Sequence, residues 1–177
     1  LKPMSTASLK DKVPPHNAEA EQATLGALLL DWGAVTTVLS YLRPDRFYSY
    51  QNQVIFEAML SLFNKGQTGD ILSLTEELRS TGKLEAAGGV AYVSSLTDQV
   101  PTSSNVEYYA KIVREQSIRR ELIKLSSNII SDAHNETKES RAVLEDAQKK
   151  IFALTDLDQT QNMVTMQELS TGTITVI

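Results

Sequence analysis

The sequence contains no cysteine, which excludes a disulfide framework and thiolate chemistry and fits a cytosolic location. Its longest apolar runs, such as Leu28–Leu30, are far too short to cross a bilayer, and residues 1–12 lack the apolar core of a signal peptide. Lysine and arginine number 17 against 22 acidic residues, and the net charge is −5. No overall positive field therefore attracts nucleic acid or an anionic membrane. These absences predict a soluble intracellular protein without a membrane partner.

Motifs for catalysis and metal binding are absent as well. The TGK at 81–83 lacks the rest of a phosphate loop, GxxxxGK[ST], because position 77 is Glu and position 84 is Leu. His16 and His134 lie in separate predicted loops without ligand spacing around them, and no GxSxG occurs. We therefore predict no catalytic residue, no cofactor site and no metal site in these residues.

Helical spacing of the apolar residues runs through almost the whole chain, so we predict an all-α fold. Asn17 is predicted to cap the first helix, and Glu19 and Glu21 in its first turns are expected to stay exposed. Gly26 in the interior of this helix costs about 1 kcal/mol relative to alanine. That cost predicts that another segment packs closely against the backbone of the helix at Gly26.

Turn signals divide the next part of the chain into shorter helices. We predict one at 34–42 and one at 52–65, the latter ended by Gly66. A capping box of Ser73 and Glu76 predicts the start of the next helix, which Gly82 ends. Together these elements predict a compact helical bundle.

A longer helical pattern follows, and it predicts an antiparallel helical hairpin. Asn105 is expected to cap its first helix, and the polar turn at 134–138 separates the two helices. One apolar ridge should pair the hairpin helices within and between chains, and its residues are Ile118, Leu122, Leu125, Ile129, Leu144, Ile151 and Leu154. A second ridge, formed by Ile123, Ile130 and Phe152, is left for another protomer or another protein. The alternative is that the bundle folds back and covers it.

Basic residues on the first hairpin helix leave a second function open. They are Lys111, Arg114, Arg119, Arg120 and Lys124. Glu107 precedes Lys111, and Glu115 precedes Arg119, by four residues, the orientation that favours ion pairs on a helix. We favour a salt-bridged solvent face. The alternative function is a helical DNA-binding module that uses Lys111, Arg114, Arg120 and Lys124.

Several blocks within residues 13–122 together resemble a known family. They are PPHNAEAEQATLGALLLD, FY followed by IFEAM, D-x-x-[ST]-L-x-x-x-L, GGVAY and VPTSSNVEYYAKIVRE. In this order and spacing they resemble the N-terminal domain of the bacterial replicative DNA helicase, the DnaB family. The hairpin resembles the family in pattern only. Asn52 stands where the family commonly has histidine, and Gly69 where it usually has proline; both are expected at surface or turn positions.

The resemblance implies a role in assembly. In such helicases the N-terminal domains form the collar of a hexameric ring, where hairpins pair into dimers and give a trimer of dimers. The C-terminal domain of primase docks on this collar, and a helicase loader acts on the same ring. Candidate primase contacts in this chain are Ile123, Ile130, Phe152, Tyr92 and Glu19.

The resemblance also implies that the enzymatic activity lies elsewhere in the full protein. ATP and Mg²⁺ bind to a RecA-like C-terminal domain, which drives 5′→3′ unwinding of the DNA that passes through the ring. This chain is then a fragment without that activity, from a cytoplasmic, nucleoid-associated bacterial protein. Its predicted parts are a flexible leader (1–13), a globular helical subdomain (14–116), a helical hairpin (117–155) and a linker toward a missing RecA-like ATPase domain (156–177).

Overall fold

The computed structural model describes residues 12–100 and 102–172; of Ser104 and of 157–172 it describes the backbone alone. Most of the predicted leader at 1–13 and the residues at 173–177 lie outside this part. The described residues form seven α-helices and no strand, which confirms the predicted all-α class. The helices are α1 (Ala18–Leu30), α2 (Val35–Leu39), α3 (Tyr50–Asn64), α4 (Ile71–Ser80), α5 (Gly89–Ser95), α6 (Val106–His134) and α7 (Ser140–Gly172). Short 3₁₀ turns occupy Trp32–Ala34, Pro44–Arg46, Leu96–Gln99 and Ser103–Asn105.

Helix α1 is the central element of the globular part. The Asn17 side chain caps it as predicted, because its Oδ1 accepts a hydrogen bond of 2.9 Å from the Ala20 amide. Gly26 is closely approached, as predicted: a Cβ there would lie 2.9 Å from the carbonyl carbon of Leu96 and nearer still to its oxygen. The helix therefore packs directly against the turn at Leu96–Gln99, and its other contacts reach α3 and the base of α6.

The ends of α3 and α4 show how local sequence sets helix length. Gly66 and Gly82 have φ angles of +68° and +69°, the left-handed conformation that ends a helix, as predicted. The predicted capping box at Ser73 is wrong, because the cap of α4 is Asp70. Its carboxylate accepts a 2.7 Å hydrogen bond from the Ser73 amide, and that bond lowers the pKa of Asp70. Asp70 precedes Ser73 by three residues, the spacing at which an N-cap side chain accepts from a helix amide, so the helix begins three residues earlier than the Ser73 cap predicted.

Helix α6 starts in the core and then leaves it. Its residues Val106, Ala110, Val113 and Ser117 are buried, whereas the residues beyond Ser117 are half-buried or exposed. The bundle therefore does not cover the hairpin within this chain. Asn105 stands at the N-cap position, but its side chain makes no capping hydrogen bond, so that prediction is wrong.

Helix α7 returns along α6 after the break at 135–139, as the polar turn predicted. It continues to Gly172, so the polar stretch at 156–162 is helical and no helix end separates it from the hairpin. A connection from 156–177 to a further domain stays a prediction. No helix in the described part combines the length and apolar character that a bilayer crossing requires.

Candidate protein-interaction face of the hairpin

The seam between α6 and α7 is narrow. Its half-buried apolar residues are Ile118, Leu125 and Ile129 on α6 and Val143, Ala147 and Leu154 on α7. Leu125 and Leu154 also line a shallow groove of about 270 Å³ along one side of the seam, together with Glu121, Lys124 and Lys150. Charged side chains therefore border the seam on that side.

Three of the residues predicted for hairpin pairing lie outside the seam. Leu122, Leu144 and Ile151 are exposed, while Val143 and Ala147 occupy the inner positions on α7. Two sets of apolar residues on α7 recur at helical spacing. One is Val143, Ala147 and Leu154, and the other is Leu144 and Ile151. The helical period alone does not decide which set faces α6. The three exposed residues remain available for contacts outside this chain.

The exposed large apolar side chains of the hairpin share one side of it. At ~100° per residue, each of them points more than ~100° away from the mean direction of the groove-lining residues on its own helix. We call this surface the outer face, and it comprises Leu122, Ile123, Ile130, Leu144, Ile151 and Phe152. Their exposed fractions run from 45% to 71%. The two predicted ridges are thus parts of a single face.

The outer face has the chemistry of a protein-binding surface. Full burial of one Leu, Ile or Phe side chain contributes about 1.5–3 kcal/mol, so six of them offer a large gain on association. Apolar patches of this kind, bordered by polar residues, mark interaction sites on soluble proteins. Within the described ranges, His, Asp and Glu form no group that could hold a metal ion. The outer face therefore fits the binding of another protein surface.

The two predicted primase contacts on the subdomain are Tyr92 and Glu19. They belong to α5 and α1 and not to the hairpin. Glu19 is exposed in the first turn of α1. Tyr92 is half-buried, and its hydroxyl donates a 2.7 Å hydrogen bond to Asn52 Oδ1. This burial raises the pKa of Tyr92.

Glu21 is a buried structural residue that sequence reasoning placed on the surface. It is 2% exposed, and its carboxylate accepts hydrogen bonds from the Tyr48 amide (2.5 Å), the Ser49 amide (3.2 Å) and Asn52 Nδ2 (2.8 Å). The signal was present, because Glu21 shares one helix face with Leu25 and Leu28 at i+4 and i+7. The carboxylate thereby holds the segment before α3 against α1.

The two departures from the family pattern are also buried. The expectation of a surface or turn position is wrong for Asn52, which lies within α3, whereas Gly69 does lie in the connection between α3 and α4. Asn52 is buried and joins the Glu21 carboxylate to the Tyr92 hydroxyl. Gly69 is buried against the ring of Trp32, which a Cβ at this position would overlap. A bulkier residue at 69 therefore requires a different placement of Trp32.

The basic residues of α6 serve mainly as structural contacts. Lys111 pairs with Glu107 at 2.8 Å and Arg119 with Glu115 at 3.2 Å, as predicted. Arg120 donates to the carbonyl oxygens of Pro15 (2.8 Å) and Arg46 (2.6 Å), so it fastens the base of the hairpin. These bonds engage Lys111 and Arg120, two of the four cations that the DNA-binding alternative requires, and the alternative is not favoured.

Comparison with known proteins decides the family. Residues 13–115 match the family model described as the DnaB-like helicase N-terminal domain. The chain belongs to the DnaB-like helicase family. The replicative DNA helicase DnaB of Treponema pallidum is 49% identical over 154 residues, which cover 87% of this chain and 35% of that protein. The replicative DNA helicase DnaC of Bacillus subtilis is 43% identical over 147 residues, 83% of this chain and 32% of that protein.

Solved structures support the same family and fold. The N-terminal domain of DnaB helicase from Mycobacterium tuberculosis superposes with a TM-score of 0.75 at 34% identity, covering 79% of this chain and 99% of that one. A DnaB-like replicative helicase, solved to describe its interactions with primase, gives a TM-score of 0.65 at 25% identity, covering 79% and 31%. The family resemblance of the sequence blocks is therefore confirmed. The chain spans about a third of the length of the two curated relatives, at 35% and 32%.

Proposed function

We propose that this domain is the collar scaffold of a hexameric replicative helicase. The outer face pairs with the outer face of a second copy, giving a trimer of dimers in the ring, and the paired hairpins present a docking surface for the C-terminal domain of primase. The observation that carries the proposal is the gathering of all six exposed large apolar residues of the hairpin on one face. A similar DnaB-like helicase that interacts with primase supports it.

The position of each residue relative to the seam divides the outer face between the two partners. On each helix, the half-buried seam residues define the direction toward the other helix, which we call the seam direction. Three residues of the outer face point within ~80° of it and so lie along the midline of the hairpin: Leu122, Leu144 and Ile151. A second hairpin that packs on this midline covers them first. Ile123, Ile130 and Phe152 point more than ~110° from the seam direction and flank the midline. These flanking residues remain accessible in a hairpin pair and are our candidates for primase contact.

The larger protein supplies the enzymatic activity in this proposal. ATP and Mg²⁺ bind to a RecA-like domain that residues 156–177 connect to the collar, and that domain drives 5′→3′ unwinding of DNA in the cytoplasm, at the nucleoid. A helicase loader is a further partner of the ring. This chain alone then hydrolyses no ATP, and measurable hydrolysis by the purified domain would contradict the division of labour.

Light scattering and calorimetry of the purified domain with the C-terminal domain of its primase test the proposal. Leu144→Asp should lower the mass of the self-associated species, because a carboxylate at the midline opposes burial. Phe152→Asp should leave that mass unchanged and weaken primase binding by at least about 30-fold, the loss expected when an aromatic anchor is removed from an interface. Asn128→Asp adds the same charge on the groove side of α6 and should change neither quantity.

The outcomes separate the two parts of the proposal. Primase binding by Phe152→Asp that equals the wild type would refute the docking assignment. Self-association of Leu144→Asp that equals the wild type would refute pairing through the midline. Circular dichroism of each variant must stay helical; a loss of helicity at Leu144 or Phe152 would show a core role and also count against the proposal.

A further inference from the structure

A partly open pocket of about 310 Å³ lies at the base of the hairpin, where the subdomain meets both hairpin helices. Its charged lining comprises Arg43, Arg46, Arg120 and Lys124 against Asp45 and Glu121. Four cations and two carboxylates leave a net two positive charges around the cavity. This pocket is separate from the outer face and takes no part in the pairing or docking proposed above.

Arg46 is the buried cation of this pocket. Its residue surface is 8% exposed, and its Nη1 donates a 3.2 Å hydrogen bond to Ser117 Oγ. Its Nε has no hydrogen-bond partner among the described residues. Burial lowers the pKa of the Arg46 guanidinium, as expected for a cation removed from water. A buried charge with an unused donor is unfavourable unless something else compensates it.

The neighbouring carboxylates compensate this charge only in part. In the described part, no carboxylate oxygen lies within 4.0 Å of the guanidinium nitrogens of Arg46 or Arg120. Arg120 donates to two backbone carbonyl oxygens, which are neutral acceptors. Asp45 lies 3.6 Å from Arg43 Nε and is engaged there. Asp45 and Glu121 thus offset part of the charge on Arg46 without contacting it, and the pocket keeps an excess of positive charge.

We propose that this pocket binds a small phosphate-class oxyanion. A dianion matches the two excess positive charges, and guanidinium groups recognise phosphate oxygens through directed N–H donors. Arg46 supplies positive charge from the subdomain side of the pocket, while Arg120 and Lys124 supply it from α6. The bound anion joins the turn at Pro44–Arg46 to the hairpin, so it fixes the hairpin on the subdomain.

Thermal unfolding of the whole domain tests this inference, with inorganic phosphate titrated against chloride and acetate at matched ionic strength. Phosphate should raise the Tm in a saturable way, because a ligand that binds only the folded state stabilises it. Chloride and acetate should not. Arg46→Met should raise the Tm in phosphate-free buffer and abolish the phosphate response, because it removes a buried, only partly compensated cation from the pocket.

Lys124→Gln provides a variant whose folding is not at risk, because the side chain is exposed. It should weaken phosphate binding by about fivefold, the effect of one unit charge near 4 Å in a water-like dielectric. Lys111→Gln is the matched control on the same helix outside the pocket and should respond like the wild type. A titration with pyrophosphate and ADP identifies the source: equal affinities indicate that phosphate groups alone are recognised, and tighter ADP binding indicates a nucleotide.

Three results would overturn the proposal. The first is a wild-type Tm that responds equally to phosphate, acetate and chloride. The second is an Arg46→Met variant that is folded, less stable than the wild type and still stabilised by phosphate, which would make Arg46 a structural residue. The third is a Lys124→Gln variant with unchanged phosphate affinity, and this result decides the matter if Arg46→Met does not fold.

Discussion

Replacement of Glu21 by alanine should cost the domain a large part of its stability. The carboxylate accepts three hydrogen bonds, two from the backbone amides of Tyr48 and Ser49 and one from Asn52. Hydrogen bonds to a charged group contribute about 1.5–3 kcal/mol each, and buried donors left without a partner cost about 1–3 kcal/mol. The Tyr48 and Ser49 amides are only part-buried, so water recovers some of that loss. We therefore expect a decrease of about 3–5 kcal/mol in the free energy of unfolding.

Urea denaturation measures this decrease, and Glu19→Ala is the matched control. Glu19 is the same residue type on the same turn of α1, but it is exposed. A surface substitution of this kind changes stability by at most about 0.5 kcal/mol. A domain of this size has a total stability of about 5–15 kcal/mol, so the Glu21→Ala variant should unfold at a clearly lower urea concentration. Equal stabilities of the two variants would refute the structural role of the Glu21 carboxylate.

Three other perturbations follow from single contacts. Gly26→Ala should destabilise the domain by about 1–3 kcal/mol in urea, because its Cβ meets the Leu96 carbonyl; a gain in stability would contradict this packing. Tyr92→Phe removes the hydroxyl bonded to Asn52 and should cost about 1 kcal/mol by the same assay. The pKa of Glu77 is lowered by Lys65 and Ser61, so its ionised form adds stability above the ordinary glutamate pKa of about 4.3, and this stability is lost as the pH falls. Glu77→Gln should therefore lose less stability than the wild type between about pH 6 and pH 3, and parallel pH profiles would contradict the assignment.

The helices of the globular part could be predicted from sequence because their signals are local. The Asn17 side chain caps α1, and Gly66 and Gly82 adopt the left-handed conformation that ends a helix. Each of these signals acts over three or four residues, and nothing distant competes with it. The close approach at Gly26 was also predictable, since a glycine in a helix interior is unfavourable unless a neighbour needs the space.

Burial of polar residues was not predictable from local signals. Glu21 carries a charge, and charged residues are mostly exposed, so its position in the first turn of α1 favoured a surface role. Its partners, Tyr48, Ser49 and Asn52, lie 27 to 31 residues later in the chain. The composition of α1 contains no information on donors that the fold brings from that distance. The face shared with Leu25 and Leu28 was the only local indication.

The hairpin shows a different limit of sequence reasoning. Its apolar residues fill more than one helical register, and the period gives their spacing without the rotation of α7 against α6. The structure fixes that rotation through Val143, Ala147 and Leu154, which are half-buried, and so turns Leu144 and Ile151 outward. The residues of the outer face were all singled out from the sequence. Only the structure shows that these residues lie on one surface.

The narrow seam and the broad outer face together support the proposal that the hairpin takes a partner. Within one chain α6 and α7 share only a few half-buried apolar contacts, whereas six large apolar side chains stay in water. Burial of that face adds stability to the same two helices that carry it, since apolar area removed from water contributes about 25 cal/mol per Å². In the proposed pairing, folding of the distal hairpin is therefore coupled to association. Backbone hydrogen bonds of the hairpin should exchange faster than those of α1 in a monomeric domain, and the difference should shrink on self-association.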